Sequence, residues 1–184
     1  MAFSLKITLV TALLLLAACR SEPIQFHTLT PAQPNGASGV ADIQIESITV
    51  PPQVDRPQIV IRQGNAGLAI LETQWWGASL SEELRSALVD QLVNSNPQRK
   101  VSLRLDVQRF DSIPGQYALI DVKWRLRKLG EGDAALITCR STLQTPSGTS
   151  IDELVVAHQN NVKRLAATIS QATAGTSKSC PATK

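Results

Sequence analysis

Polar and apolar positions alternate most regularly in the second half of the chain. Val101, Leu103, Leu105 and Val107 interleave with Ser102, Arg104, Asp106 and Gln108. After Pro114-Gly115, Ile120, Val122, Trp124 and Leu126 oppose Asp121, Lys123, Arg125 and Arg127. A period of two predicts strands with one packed face and one wet face. Residues 135–144 predict a third strand, entered through Gly130 and Gly132 and left through a turn at Pro146 to Gly148. Upstream, residues 24–29 are rich in β-branched and aromatic types and predict a short strand. Residues 30–39 predict a loop. Residues 41–50 alternate, with one slip near Ser47 that predicts a bulge, and Pro51-Pro52 ends the strand. Short apolar runs at 58–62 and 68–72 flank Gly64 to Gly67, a hairpin signal.

Two stretches change to the helical period. Leu80, Leu84, Leu88 and Leu92, with Ala87 beside them, form one stripe behind Ser79 and Glu82, which are spaced as a capping box. Asn94 to Pro97 closes this helix. Ile151, Val155, His158, Val162, Leu165 and Ile169 form a second stripe behind Ser150 and Glu153, again spaced as a capping box. The order β-β-β-β-α-β-β-β-α predicts an α+β domain over residues 24–174, a mostly antiparallel sheet with both helices packed on one face. Residues 175–184 are expected to form a flexible tail.

The leader places this domain. Lys6 precedes an apolar run from Ile7 to Leu16, too short to span about 30 Å of hydrocarbon, and Ala17-Ala18-Cys19 follows. This is a lipobox. Residues 1–18 are expected to be removed, leaving Cys19 acylated and residues 19–23 as a lipidated tether. Each buried methylene contributes about 0.8 kcal/mol, so two or three acyl chains hold a protein on a membrane where one is marginal. The alternatives are an ordinary secretory signal with a coincidental cysteine, or a short uncleaved anchor. Arg20 stands where Asp would retain such a protein at the inner membrane in enterobacteria-like organisms. The expectation is the periplasmic face of the outer membrane.

The 184 residues, less the 18 of the leader, leave 166, enough for one domain with a sizeable core. The 18 basic residues, less Lys6, face 15 acidic ones, so no global charge draws the mature chain to nucleic acid. Cys139 and Cys180 remain after Cys19 is consumed. In an oxidising compartment they are expected to pair and staple the tail to a strand, the alternative being two separate thiols.

Candidate chemistry is sparse. His27 lies in the first strand, and His158 lies on an apolar helix stripe, where a packed core residue is expected. Gly77 to Ser81 does not form a nucleophile elbow. Gly64 and Gly67 are followed by no phosphate-binding Lys, and no CxxC or HxxxH spacing suggests a metal. No catalytic residue, metal or cofactor beyond the covalent lipid is expected, and the chain reads as a non-enzyme. Two surface features remain. Of Trp75 and Trp76, neighbours pointing opposite ways, one can anchor the core and the other can meet a partner; alternatively, both are buried. Lys123, Arg125 and Arg127 line a wet face that could meet lipid phosphates; the alternative is a solvated row paired across to Asp106.

The motifs in order resemble the ABC-type transport auxiliary lipoproteins of the PqiC-like (paraquat-inducible protein C) family. They are the lipobox, Phe26-His27-Thr28-Leu29-Thr30-Pro31, the strand from Ile43 to Pro51, Trp76 leading into the Leu80 to Leu92 helix, and Ala157-His158 followed by Leu165 to Ile169. His27 stands where the family often has Tyr. The resemblance implies an outer-membrane partner of a mammalian-cell-entry (MCE) protein fed by an inner-membrane ABC transporter, acting in envelope lipid traffic and membrane integrity. A homo-oligomer fits the same picture. The competing readings are a structural or assembly lipoprotein of another envelope machine and a periplasmic lipid-binding protein.

Overall fold

The computed structural model describes residues 22–32, 41–92, 100–128, 136–174 and 180–181. Outside them lie the leader and Cys19, most of the loop expected over 30–39, the helix stop at Asn94 to Pro97, the entry at Gly130 and Gly132, and most of the tail.

Seven strands and two helices follow the expected order. They are β1 (Gln25–His27), β2 (Asp42–Thr49), β3 (Gln58–Gln63), β4 (Gly67–Trp76), α1 (Leu80–Leu92), β5 (Lys100–Ile113), β6 (Tyr117–Lys128), β7 (Leu136–Pro146) and α2 (Ile151–Ala174). The α+β class is as expected, but the single sheet is not. The strands form two mixed sheets, ordered β1-β4-β3 and β2-β5-β6-β7. β1 runs parallel to β4 and β2 parallel to β5; the other three pairings are antiparallel. Alternation tells which side chains face a core, not which strand is the neighbour. Parallel pairing needs a crossover of a dozen or more residues. The chain from β2 to β5 supplies it by passing through β3, β4 and α1.

Local geometry follows local sequence. The β2–β5 register shifts between Ile45 and Ser47, the bulge that the slip in alternation predicts. Gly64 closes the β3–β4 hairpin with φ of 61°, a conformation that costs a residue with Cβ. At α2 the capping box is reciprocal: the Glu153 N–H donates to Ser150 Oγ at 3.2 Å, and the Ser150 N–H donates to Glu153 Oε2 at 3.1 Å. The Ser150 contacts hold the Glu153 carboxyl below its ordinary pKa. At α1 the expected box is replaced. Asp55, from the β2–β3 loop, accepts the Ser81 N–H at 2.9 Å. The Ser79 hydroxyl instead lies 3.1 Å from that of Ser81.

The core lies between the inner face of β5-β6-β7 and the helix stripes. Trp124, Leu103, Ile120, Leu143, Leu165 and Ile169 are among its fully buried side chains from strand and helix alike. Trp124 keeps its indole N–H satisfied by Ser141 Oγ at 3.0 Å. α2 lies across β6 and β7, α1 lies beside β2, and the helices touch each other.

Candidate functional site

The first strand of the fold is fixed from several sides. β1 pairs with the last residues of β4, Gln25 opposite Gln74 and His27 opposite Trp76. The His27 carbonyl accepts the Gly77 N–H at 2.9 Å, and His27 Nε2 lies 2.6 Å from Gln74 Oε1. Its Nδ1 lies 3.4 Å from Asp152 at the start of α2. From α1, Glu83 turns inward and accepts both the Leu29 N–H and the Thr28 hydroxyl at 2.8 Å. From α2, Gln159 donates to the Thr28 carbonyl at 2.9 Å. Leu29 is fully buried. The Thr28-Leu29 dipeptide therefore locks the entry of the chain to both helices.

This segment separates the two tryptophans. Trp76 is 2% exposed and packs edge-on against Phe110 and His158, so it is the core anchor of the pair. Trp75 is half-buried. Its indole N–H donates to the Glu72 carbonyl at 2.9 Å, and its ring meets Phe26 in a T-shaped contact with centroids 6.3 Å apart. Phe26 itself is 67% exposed, and Ile24 is 46% exposed.

On the outer face of the larger sheet, Lys123, Arg125 and Arg127 are all exposed, as their wet register requires. Asp106 stands opposite Lys123 in register, but its carboxylate accepts the Thr49 hydroxyl at 2.8 Å. The acids that pair on this face are others. Arg104 binds Glu46 at 2.5 Å. Arg140 binds Asp121 through Nε at 2.9 Å and through Nη2 at 2.5 Å, and Thr142 donates to Asp121 at 3.1 Å. Hydrogen bonding from Arg140, opposed by burial and aided by Thr142, holds the Asp121 carboxyl below its ordinary pKa. Asp111 is covered in the same way by Arg62, at 3.0 Å, and by Arg109. Asp111 and Asp121 are buried with their cations lying over them, whereas Glu46 and Asp106 are exposed beside the row of Lys123, Arg125 and Arg127. This arrangement was hidden from sequence reasoning, which assigned Asp121 to the wet face by parity alone.

His158 is buried, as its place on the stripe predicts. Its ring stacks on Phe110 with centroids 4.0 Å apart, and its Nε2 shares a 2.9 Å hydrogen bond with the Ser112 hydroxyl. Its Nδ1 has no partner among the described residues. Burial pushes its pKa down to about 3, so the ring is neutral at physiological pH. The Ser112 hydroxyl is itself buried, and among the described residues no carboxylate bonds to Nδ1 to orient the ring as a catalytic base.

Cys139 of β7 and Cys180 of the tail are joined by a disulfide, with Cα atoms 5.6 Å apart. A cleft at Val60, Arg62, Leu68, Phe110 and Asp111 contains the Arg62–Asp111–Arg109 charge cluster. Among the described residues no set of three His, Cys, Asp or Glu could hold a metal ion, and no helix is long and apolar enough to cross a membrane.

The fold has relatives among solved structures. One is an uncharacterized protein, 19% identical, with a TM-score of 0.64 over 82% of this chain and 98% of that one. Another is a protein of family DUF330 from Xanthomonas campestris, 16% identical, with a TM-score of 0.58 over 83% of this chain and 94% of that one. At these identities the likeness is one of fold. A comparison with curated proteins gives no match. The family model for the ABC-type transport auxiliary lipoprotein component matches residues 26–170, from Phe26 in β1 to Ser170 near the end of α2. The chain therefore belongs to the ABC-type transport auxiliary lipoprotein family.

Proposed function

We propose that the protein is a non-enzymatic docking subunit of an MCE-type ABC lipid transport system. Acyl chains on Cys19 hold it at the periplasmic face of the outer membrane, with residues 19–23 as the tether, residues 24–174 as the domain and residues 175–184 as a tail. The observation that carries this reading is the family match, which begins within a strand's length of a lipobox cysteine. The chemistry described above agrees with it. Among the described residues the groups with perturbed pKa values, Glu46, Asp121, Arg140, Glu153 and His158, are each hydrogen-bonded to a neighbouring side chain. In this reading the domain receives the far end of an MCE assembly reaching from the inner membrane, and the anchor fixes where that meeting takes place.

Lysines and arginines on the outer sheet face, Lys123, Arg125 and Arg127 among them, add a surface suited to phosphate-bearing head groups or an acidic partner. The test of the anchor is a comparison of the wild-type protein with Cys19→Ala in cells. Mass spectrometry of the mature N-terminus should find a diacylglyceryl and an N-acyl group on Cys19, and membrane fractionation should place the protein in the outer membrane. The variant should be released to the soluble periplasm. An unmodified Cys19, or an inner-membrane location, would contradict the proposal.

A further inference from the structure

The apolar patch at Ile24, Phe26 and Trp75 is unusual for a soluble face. Ile24 and Phe26 are among the most exposed large apolar side chains of the described residues, two positions apart in the chain, and Phe26 contacts the half-buried indole of Trp75. We infer that this patch is a membrane-interface contact, which enters the head-group region of the bilayer and sets the orientation of the domain on it. The inference rests on acylation of Cys19.

Position argues first for the bilayer as the occupant. Only Arg20, Ser21, Glu22 and Pro23 separate Cys19 from Ile24. Even a fully extended backbone carries Ile24 at most about 17 Å from Cys19. A head-group layer is about 5–8 Å deep, so the tether is long enough for a patch starting at Ile24 to reach that layer and too short for the patch to leave the neighbourhood of the membrane while the anchor holds. The chemistry fits the same place. Trp concentrates at membrane–water interfaces, and Phe serves as a buried apolar anchor of segments that lie in the interface. The Trp75 N–H is already satisfied by the Glu72 carbonyl, so the indole presents its apolar body at no hydrogen-bonding cost.

A patch orients a domain only if it cannot swing independently of it. β1 is paired to β4 and tied to α1 through Glu83 and to α2 through Gln159. The force of the anchor therefore passes into both helices. Being tethered, the patch needs little affinity of its own, because the anchor holds it at high local concentration.

The test reconstitutes the acylated protein in vesicles of phosphatidylethanolamine and phosphatidylglycerol, with and without lipid brominated near the head of the acyl chain. In a parallel arm, the mature chain carries a histidine tag in place of Cys19 and is held on nickel-chelating lipid. Trp75 is read as the difference between wild type and Trp75→Phe, because Trp76 and Trp124 are buried. We expect brominated lipid to quench Trp75, and Phe26→Ser to reduce that quenching several-fold. Circular dichroism should report an unchanged fold for that variant, since Phe26 is largely exposed.

No quenching in either arm overturns the inference. So does quenching that Phe26→Ser leaves intact, and so does a Phe26→Ser protein that loses a crosslinked protein partner while its Trp75 stays equally quenched. The last result would make the patch a protein contact. Quenching in the chelator arm combined with an unmodified native Cys19 supports the patch and refutes the acyl anchor, so the two failures are distinguishable.

Discussion

Replacing His158 by Gln removes a titrating ring from the core while leaving a polar group within reach of Ser112, and pH dependence then isolates what burial does to it. His158 is completely buried between Phe110, Trp76 and Ser112, and its folded pKa is near 3. In the unfolded chain it returns to its ordinary value of 6.5. The folded pKa is depressed, so the stability tied to the neutral ring is fully present above pH 6.5. It is lost as the pH falls from there toward 3, because the unfolded state binds a proton that the folded state refuses. At pH 5 an unfolded His is almost entirely protonated and the folded ring is still neutral, a difference of about 2 kcal/mol relative to pH 8. This figure depends little on the folded value, provided that it stays well below 5. The assay is urea unfolding of the mature chain carrying Cys19→Ser at pH 8 and at pH 5, for His158 and for His158→Gln. Every other titrating group is common to both proteins and cancels in the difference. The background protein should lose about 2 kcal/mol more than the variant between the two pH values. Equal losses would refute the reasoning and would mean that the ring is wet or paired when charged.

Other consequences are equally direct. Glu83→Ala leaves the buried Leu29 N–H without its acceptor and should cost about 2 kcal/mol in urea unfolding, with proteolysis at the β1 junction rising in step. Arg140→Ala strips the cover from Asp121, whose side chain is 4% exposed. It should destabilise the domain at pH 7 and do so progressively less as the pH falls below 3.8, the ordinary value, toward the lowered folded value at which the Asp121 carboxyl gains its proton and the pair is lost. Cys139→Ser together with Cys180→Ser opens a link between residues 41 positions apart. On chain-entropy grounds the cost is up to about 4 kcal/mol, read as a fall in the urea midpoint that reductant reproduces in the parent protein.

What could be read from the sequence depended on how local the signal was. The strands β5 to β7 and the stripe of α2 are written in side-chain period, and the structure places Val101 to Val107, Ile120 to Leu126 and Val155 to Ile169 as that period requires. Pairing is not local. Nothing in Gln25–His27 announces that its neighbour is β4, or that the neighbour runs parallel. Buried acids escaped for a related reason. Asp121 has the parity of a wet residue and is buried only because Arg140 from the next strand folds over it. Glu83 was more accessible to inference, since it lies within the stripe of Leu80, Leu84 and Ala87, where an acid demands a buried donor. The Trp pair illustrates the limit in one dipeptide. Adjacency says that the rings diverge, and only the Phe110 and His158 shelf decides that Trp76 is the inner one.

The proposed meeting of an acylated domain with an MCE protein at the outer membrane is open to crosslinking in intact cells, followed by capture of the tagged protein and identification of its covalent partners. An MCE-domain protein should be among those partners, and it should be depleted when Cys19→Ala releases the domain from the membrane. Recovery of no MCE-domain protein from cells in which the acylated protein is abundant in the outer membrane would contradict the proposal.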